Sequence, residues 1–337
     1  MSDYIRVGLD AMGGDHAPGE IILGAMQALS ESDEVRVTFV GVRERIEAAI
    51  AACSISVDQE KYQIAEASEV IGMSEHPVDA IRKKKDSSIV VGMKMLHSGE
   101  LDAFISAGNS GAVLVGGQVL VGRIPGIERA PFASIIPNAQ GCSLLLDCGA
   151  NVDARSSHLV QFARMGSIYM RDVMGVANPR VGLVNIGVEE DKGNALTKET
   201  YPLLKACEDI NFIGNFEARD IPAGGCDVLV CEGFTGNVVL KMYEGTAKTM
   251  LGILKGSLTA TPVSKVGALM VKGSLKKALA PYDPAAYGGA PMLGLRSLVV
   301  KTHGSAKARE VKNSVLQCAD YYRQEISRKI EEHVASV

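Results

Sequence analysis

Short apolar runs alternate with helical patterns along most of this 337-residue chain. The runs are rich in Val, Ile and Leu, which is typical of strands covered on both faces. We predict strands at Ile5–Leu9, Val35–Gly41, Ala103–Ser106, Ser143–Asp147, Val181–Asn185, Asp227–Cys231 and Leu298–Lys301. Helical patterns lie between them, for example at Glu20–Ser30, Ser156–Val173 and Ala306–His333. The alternation predicts a mostly parallel sheet with right-handed crossovers, and hence a three-layer α/β/α fold in a single domain over residues 1–337.

One uncharged run, Ala103–Gly122, has 20 residues and is long enough to cross a membrane. Its segment "ISAGNSGA" interrupts the run with small and polar residues, and Asn109, Ser110 and Gln118 are poor choices for a surface that faces lipid. We therefore predict a buried strand, a turn and a helix over this stretch.

Polar loops rich in glycine follow the predicted strands, namely "LDAMGGDHAP", "SAGNSGA", "DCGANVD", "NIGVEEDKGN", "CEGFTGN" and "KTHGS". Loops that leave the carboxyl ends of parallel strands meet at one edge of the sheet, where open α/β sheets bind ligands. Several of these loops run directly into predicted helices, whose free N–H groups favour anions. Lys192 adds a cation and His303 a titratable ring. We therefore expect a site for phosphate or a phosphate-like ligand at this edge.

Composition and absent motifs narrow the class of protein. The net charge of −4 and the pI near 5.9 argue against nucleic acid as the main partner. The seven cysteines have no zinc-ligand spacing and lie mostly in apolar strands, so we expect reduced thiols in a cytoplasmic protein without a signal peptide. The chain has no GxGxxG, P-loop, GxSxG or HExxH motif. Their absence argues against the commonest dinucleotide, nucleotide, hydrolase and metalloprotease sites.

The segment 238–280 differs from the rest of the chain because it holds seven lysines and one acid, Glu244. Its lysines and apolar residues repeat at helical spacing on different sides, which predicts a basic amphipathic helical hairpin that protrudes from the domain. Such a hairpin is typical of an anionic membrane surface or an acidic partner, with a solvated helix pair packed on a second subunit as the alternative. The candidate contact residues are Lys265, Lys272, Lys276 and Lys277, together with Arg82, Lys83 and Lys84 of a second basic cluster. An ordinary basic helix end is the alternative for that second cluster.

The motifs "LDAMGGDHAP", "RKKKDSS", "SAGNSGA", "DCGANVD", "NIGVEEDKGN", "GFTGNV", "YGGAPMLGL" and "HGS" occur in this order. In sequence and order they resemble the bacterial phosphate acyltransferase family, the acyl-carrier-protein–phosphate transacylases that begin phospholipid synthesis. The resemblance extends from about residue 5 to residue 330, with Ser110 where threonine is common and Asp191 at a variable position. It implies that a long-chain acyl group passes from acyl carrier protein (ACP) to inorganic phosphate, without a cofactor, to give acyl phosphate and free ACP.

The resemblance also implies a homodimer and a fold similar to phosphotransacetylases and isocitrate-type dehydrogenases. It implies an enzyme that is cytoplasmic and peripherally associated with the inner face of the cell membrane. Its product would be used by an acyl-phosphate:glycerol-3-phosphate acyltransferase. Two alternatives stay open, namely a short-chain phosphotransacetylase that acts on acyl-CoA and a non-enzymatic, phosphate-sensing membrane scaffold.

Phosphate is already an oxyanion near neutral pH, so this reaction needs no activated protein nucleophile. It needs a positioned phosphate and hydrogen-bond donors for the developing thioester oxyanion. The candidate catalytic residues are Lys192, Asn237, His16 and His303. The candidate phosphate-binding or substrate-binding residues are Asp10, Gly13, Gly14, Asp15, Gly108, Asn109, Ser110, Gly111, Asp147, Asn151 and Gly236.

The three acids of this set, Asp10, Asp15 and Asp147, would repel a bound phosphate. We therefore expect them to accept hydrogen bonds from the N–H groups of neighbouring loops and to orient His16 or Lys192. A divalent metal held by these carboxylates is the alternative, although we predict no metal ligands. Asp15 is also placed to cap a helix that starts at Ala17-Pro18, and both histidines have a structural alternative.

Overall fold

The computed structural model describes residues 4–282 and 287–336. Its strands are β1 Ile5–Asp10, β2 Val35–Gly41, β3 Tyr62–Glu66, β4 Ala103–Ser106, β5 Ala133–Asn138, β6 Gly141–Leu146, β7 Arg180–Asn185, β8 Asn211–Glu217, β9 Val228–Val230, β10 Ala290–Pro291 and β11 Leu298–Lys301. Its α-helices are α1 Gly19–Glu31, α2 Arg43–Ala52, α3 Pro77–Lys83, α4 Ser88–His97, α5 Ser110–Gly116, α6 Ser156–Asp172, α7 Ala195–Lys205, α8 Gly233–Thr259, α9 Pro262–Leu279, α10 Ala308–Arg323 and α11 Ile326–Ser336. All seven predicted strands are confirmed, each to within two residues at either end.

The strands form two sheets with the orders β10-β11-β4-β1-β2-β3 and β5-β6-β9-β7-β8. All neighbours pair in parallel except β10 with β11 and β5 with β6. The predicted α/β class with mostly parallel strands is therefore confirmed. The expectation that all the polar loops share one sheet edge is wrong, because the loops are divided between two sheets.

The four strands that the apolar pattern missed, β3, β5, β8 and β10, are the edge strands of the two sheets. Edge strands have one neighbour, so they are less buried and lack the continuous apolar run of a central strand. In β3, for example, no residue is fully buried. The sequence therefore predicted the centre of each sheet and not its borders.

Helices cover both faces of the first sheet. Val7 and Leu9 of β1 are buried in one hydrophobic cluster with Ile22 of α1 and Val315 of α10. Phe104 of β4 is buried in a second cluster that includes residues of α4 and α5. The first sheet is thus the middle layer between two groups of helices.

Two helical expectations need comment. The predicted helix Ala306–His333 is wrong as a single element, because α10 ends at Arg323 and α11 begins at Ile326. Glu325 between them has a φ of 51°, in the left-handed region, and that ends the first helix. The uncharged run from Ala103 forms β4, α5 and a π-helical turn Gly117–Val121, as predicted. In the described part of the chain no helix is both long and apolar enough to cross a bilayer.

Candidate active site

The carboxyl ends of β11, β4 and β1 lie side by side in the first sheet, and the loops that follow them meet there. Lys301, the last residue of β11, pairs with Ser106, the last residue of β4. The N–H of Thr302 donates to the carbonyl of Ser106 (3.0 Å), and the N–H of Asp15 donates to the carbonyl of Gly304 (2.8 Å). Backbone hydrogen bonds therefore join these three loops into one polar edge.

The second sheet contributes the loops after β6 and β9. The N–H of Asp147 donates to the carbonyl of Cys231 (2.9 Å), and the N–H of Gly233 donates to the carbonyl of Asn151 (2.8 Å). A Cβ atom at Gly236 would lie 1.9 Å from the carbonyl oxygen of Asp147. The first turn of α8 therefore packs directly on the loop after β6, which glycine alone permits at this position.

A cavity of about 490 Å³ is lined by residues from both of these edges. The first sheet supplies Asp15, Ser110, Lys301 and His303, and the second sheet and the start of α8 supply Cys148, Gly149, Asn237 and Lys241. Ligand sites of α/β proteins lie at the carboxyl ends of strands, and here two such edges share one cavity. This cavity is our candidate active site.

Asp10 accepts hydrogen bonds from the loops that border the cavity. Its carboxylate is 1% exposed and accepts hydrogen bonds from the hydroxyl of Ser106 (2.6 Å) and the N–H of Met12 (3.1 Å). The Ser106 hydroxyl in turn accepts from the N–H of Gly108 (3.0 Å). Burial raises the pKa of the Asp10 carboxyl, and its hydrogen bonds oppose that change. A Cβ atom at Gly13 would lie 2.3 Å from Asp10 Oδ2, so this loop needs glycine to close over the carboxylate.

Asp147 accepts hydrogen bonds from neighbouring loops at the edge of the second sheet. Its buried carboxylate accepts hydrogen bonds from the N–H groups of Phe132 (3.0 Å), Ala150 (3.2 Å) and Asn151 (2.6 Å) and from the Asn151 side chain (2.9 Å). Burial raises the pKa of the Asp147 carboxyl, and these donors oppose that change. Asp10 and Asp147 thus hold neighbouring loops together. Their hydrogen bonds in the described structure reach neither predicted partner, His16 nor Lys192.

Four of the predicted site residues line the cavity, namely Asp15, Ser110, Asn237 and His303. Asp15 is exposed, and α1 has Pro18 at its N-cap with no side-chain capping bond, so the interpretation of Asp15 as a helix cap is wrong. His303 Nδ1 lies 2.8 Å from the hydroxyl of Ser305, which also lines the cavity. Within the described residues, the hydrogen bonds show no carboxylate on the other nitrogen of His303. The pair therefore lacks the third member of a catalytic triad.

The two predicted asparagines with buried side chains have structural partners. The Asn109 side chain caps α5 by accepting from the N–H of Ala112 (3.0 Å), and its amide donates to the carbonyls of residues 72, 73 and 75. The Asn151 amide donates to the carbonyl of Ala130 (3.0 Å) as well as to Asp147. Their side-chain donors are therefore already engaged.

Lys192 and His16 are exposed and do not line the cavity. Lys192 follows β7 of the second sheet, and its neighbour Glu190 bonds to Lys205 (2.6 Å) and Tyr201 (3.2 Å) rather than to Lys192. The catalytic role of Lys192 stays a prediction, and the described cavity does not include its side chain. The predicted glycines permit close packing around the cavity without lining it themselves, Gly13, Gly14 and Gly108 in loops and Gly111 and Gly236 in the first turns of α5 and α8.

Two lysines that we did not predict as site residues indicate where an anion would bind. Lys301 and Lys241 both line the cavity. Burial lowers the pKa of the Lys301 ammonium from 10.5 to about 8, the nearby carboxylates of Asp10 and Asp15 oppose this change, and Lys241 adds to it. Lys301 ends a buried strand directly before "THGS". A charged residue at the end of a buried strand is the feature by which the sequence could have predicted Lys301 as a site residue.

The cysteine that lines the cavity, Cys148, does not provide an activated nucleophile. All seven cysteines are free, and Cys226, Cys231 and Cys318 are buried while the other four are half-buried. Cys148 lines the cavity, and burial raises the pKa of its thiol well above the ordinary value, with Asp147 as a second cause. The thiolate is the nucleophilic form of cysteine, so the Cys148 thiol is unreactive at neutral pH.

The basic surface residues differ in availability. Lys84 donates to Glu75 Oε1 and to the carbonyl of Val70 (both 2.7 Å), whereas Arg82 and Lys83 are exposed. Lys265, Lys272, Lys276 and Lys277 of α9 are all exposed. In the described residues, no group of three His, Cys, Asp or Glu side chains is arranged to hold a metal ion.

Comparisons with known proteins show which family this chain belongs to. A family model described as "Fatty acid synthesis protein" matches residues 5–329. A phosphate acyltransferase from Clostridium perfringens is 44% identical over 330 residues, covering 98% of this chain and 97% of that protein. One from Desulfitobacterium hafniense is 47% identical over 312 residues, covering 92% of each.

Two solved structures have a similar fold. A phosphotransacetylase from Streptococcus pyogenes matches with a TM-score of 0.63 at 13% identity, covering 96% of this chain and 95% of that one. The EutD phosphotransacetylase from Staphylococcus aureus matches with a TM-score of 0.60 at 15% identity, covering 95% and 94%. At these identities the likeness concerns the fold alone.

Proposed function

This chain belongs to the phosphate acyltransferase family and is an acyltransferase, and we propose that it transfers a long-chain acyl group from ACP to inorganic phosphate. The products are acyl phosphate and free ACP. The acyl phosphate then serves an acyltransferase that acylates glycerol 3-phosphate.

One observation carries this proposal. The cavity between the two sheet edges holds two lysines, Lys241 and Lys301, and a cysteine whose thiol is kept protonated. Two lysines that line one cavity favour an anionic substrate, and the raised pKa of the Cys148 thiol favours attack by that anion itself. Inorganic phosphate meets both requirements.

The atoms balance without an enzyme-bound intermediate. An oxygen of hydrogen phosphate attacks the thioester carbonyl carbon, so a C–O bond forms and the C–S bond breaks. The proton of hydrogen phosphate passes to the departing sulfur, which leaves as the thiol of ACP. Lys301 and Lys241 neutralise the phosphate, and Asn237 at the start of α8 is placed to donate to the developing oxyanion. His303 lines the same cavity and is our candidate for relaying the proton.

The first experiment compares donors. We expect the enzyme to release free thiol from long-chain acyl-ACP when phosphate is present. Preference for acetyl-CoA would favour a short-chain phosphotransacetylase, and consumption of neither donor would favour the phosphate-sensing scaffold. Mass spectrometry of enzyme mixed with acyl-ACP and no phosphate should show unmodified protein. An acyl adduct on Ser305 or on a cysteine would contradict direct transfer.

We also propose that ACP docks on the basic cluster that includes Arg82 and Lys83, since ACP is acidic and both side chains are exposed. Reversing both charges to Glu should raise KM for acyl-ACP and leave the rate with an acyl-CoA donor unchanged. The same loss with both donors would show that the cluster does not recognise ACP.

Peripheral membrane binding through the α8–α9 hairpin is a further part of the proposal. Its support is the exposure of Lys265, Lys272, Lys276 and Lys277, each worth roughly 1 kcal/mol near an anionic leaflet. Replacing these four by Glu should abolish salt-sensitive binding to anionic vesicles. Equal binding of the original protein to neutral vesicles would contradict an electrostatic contact.

We propose a homodimer as well. Ile186, Val188 and Phe234 are exposed large apolar residues beside the carboxyl edge of the second sheet, with Ile186 81% exposed. An apolar surface of this kind supports contact with a second copy of the chain. Sedimentation should give a dimer for the native chain and a monomer for Ile186→Glu. A dimer in both cases would place the contact elsewhere.

A further inference from the structure

The α8–α9 hairpin carries an apolar groove of about 580 Å³ between its two helices. Leu251, Leu254 and Leu258 line it from α8, and Ala268, Leu275 and Leu279 line it from α9. The rest of the lining comprises Leu269, Thr259 and four lysines, namely Lys255, Lys265, Lys272 and Lys276. Lysine stems pack on apolar surface while their ammonium groups stay in water. The groove is therefore a channel with apolar walls and charged rims.

This groove continues the reaction cavity along the same faces of the two helices. Asn237, Lys241, Glu244 and Ala247 of α8 line the cavity, and Leu251 lines the groove four residues later. Residues three or four apart lie on one side of a helix, so these side chains form one stripe that continues to Leu258.

Helix α9 also links the groove to the cavity, but it does so at its C-terminal end, whereas α8 does so at its N-terminal end. Ala268, Leu275 and Leu279 of α9 line the groove, and Tyr282, three residues after Leu279, lines the cavity. Both walls of the groove therefore lead into the cavity that holds Lys301.

Polarity changes in one direction along the α8 stripe. The cavity end carries an amide, an ammonium and a carboxylate at Asn237, Lys241 and Glu244, and from Ala247 onward the lining positions are mostly aliphatic. Lys241 and Leu258 are about 25 Å apart along the axis at 1.5 Å per residue. A ligand that fits this profile has a polar, reactive head and a long, unbranched apolar tail.

We propose that the α8–α9 groove binds the acyl chain of the thioester donor while its carbonyl lies in the cavity between the sheets. The proposal rests on the proposed function and adds to it a site that makes the reaction rate depend on the length of the acyl group. Each methylene that enters the groove should improve kcat/KM roughly fourfold, which corresponds to about 0.8 kcal/mol for a buried CH₂.

A substitution in the middle of the groove tests this proposal. Ala268→Trp fills the groove, and Ala278→Trp is the matched control, because Ala278 is exposed on the same helix and does not line the groove. Both variants and the native chain are assayed with acyl-ACP donors from hexanoyl to palmitoyl, in excess phosphate and without vesicles. Circular dichroism and sedimentation check that fold and assembly are retained.

We expect the native chain and Ala278→Trp to show kcat/KM values that rise steeply with chain length. In Ala268→Trp the ratio of palmitoyl to hexanoyl kcat/KM should fall by at least tenfold. Parallel chain-length profiles in all three proteins would overturn the groove proposal, as would a rise that appears only when vesicles are added. A changed sedimentation mass in Ala268→Trp would assign the groove to a second copy of the chain. If the native chain turns over no acyl donor, the proposed function itself fails instead.

Discussion

Replacing Lys301 by methionine separates two effects of this lysine. One is the free energy of unfolding that is lost by burying its charge, and the other is its contribution to binding the anionic substrate. Lys301 ends β11, its ammonium donates to the carbonyl of Thr302, and its side chain lines the cavity. Methionine keeps an unbranched side chain of similar length and removes the charge. The substitution therefore tests whether the positive charge stabilises the fold or serves the anion.

The size of the effect follows from the pKa of Lys301. Its drop from 10.5 to about 8 corresponds to about 3 kcal/mol against the charged form, at 1.36 kcal/mol for each pKa unit. Lys301→Met should therefore raise the free energy of unfolding at pH 7, without phosphate, by about 1 to 3 kcal/mol. Activity should fall by about 10² to 10³, the usual loss when a group that stabilises transition-state charge is removed.

Urea denaturation with and without phosphate measures both effects. A hundredfold excess of phosphate over its Kd should stabilise the native chain by about 2.7 kcal/mol and should not stabilise Lys301→Met. Lys198→Met, an exposed lysine on α7, is the control for the substitution itself. Lys192→Ala run in parallel tests the lysine that the sequence pattern selected. A Lys301→Met protein that is less stable than the native chain and retains its activity would refute the reasoning.

The lowered pKa of Lys301 determines how stability and phosphate affinity change with pH. Between about pH 8 and 10.5 the unfolded chain holds the Lys301 proton and the folded chain does not, so without phosphate stability should rise with pH across this window. Below pH 8 both states are protonated, and the full cost of the buried charge is present. Phosphate needs the charged form, so its affinity should weaken as pH rises above 8. Burial is the main cause of the lowered pKa of Lys301, and the charges of Asp10, Asp15 and Lys241 modify it. Sulfate, whose charge is constant here, should weaken in parallel.

Substitutions at three further positions test the supporting structure. Asp147→Ala leaves buried N–H donors without an acceptor and should lower the free energy of unfolding by about 3 kcal/mol or more in urea denaturation, with a smaller loss for Asp147→Asn. Gly13→Ala places a methyl group against the Asp10 carboxylate and should abolish the phosphate-dependent rise in Tm; an unchanged rise would show that this loop tolerates displacement. Tyr169→Phe removes a buried hydrogen bond to Tyr321 (2.8 Å) and should cost about 1 kcal/mol, with kcat unaffected.

The polar loops of the candidate site were largely predictable from the sequence. Asp15, Ser110, Asn237 and His303 were selected because glycine-rich polar residues follow apolar strands, and all four line the cavity. Asp10 and Asp147 were expected to accept hydrogen bonds from loops, and each does so in a buried position. These inferences succeed because they depend on local chemistry, in which an acid at the end of a buried strand must find donors nearby.

Lys301 and Lys192 show where the same reasoning stops. Both follow or end an apolar strand, so their local patterns are alike. Whether each lysine reaches the cavity depends on the position of its strand in the sheet: β11 lies beside β4, whereas β7 lies beyond β9 and is not next to β6. Nothing in the spacing of apolar residues distinguishes the two sheets, because central strands of either sheet are buried on both faces.

The sequence by itself determined the central strands, the helices between them and the polar character of the strand ends, because each depends on burial and on residues close in the chain. The tertiary structure decided the edge strands, the division into two sheets and the pairing of their edges around one cavity, because these depend on contacts between distant segments. It also decided that Lys241, on a helix, and Lys301, on a strand, line the same cavity although they are 60 residues apart in the chain. Residues on one face of α8 line both that cavity and the groove of the hairpin, a relation that depends on how the helices pack.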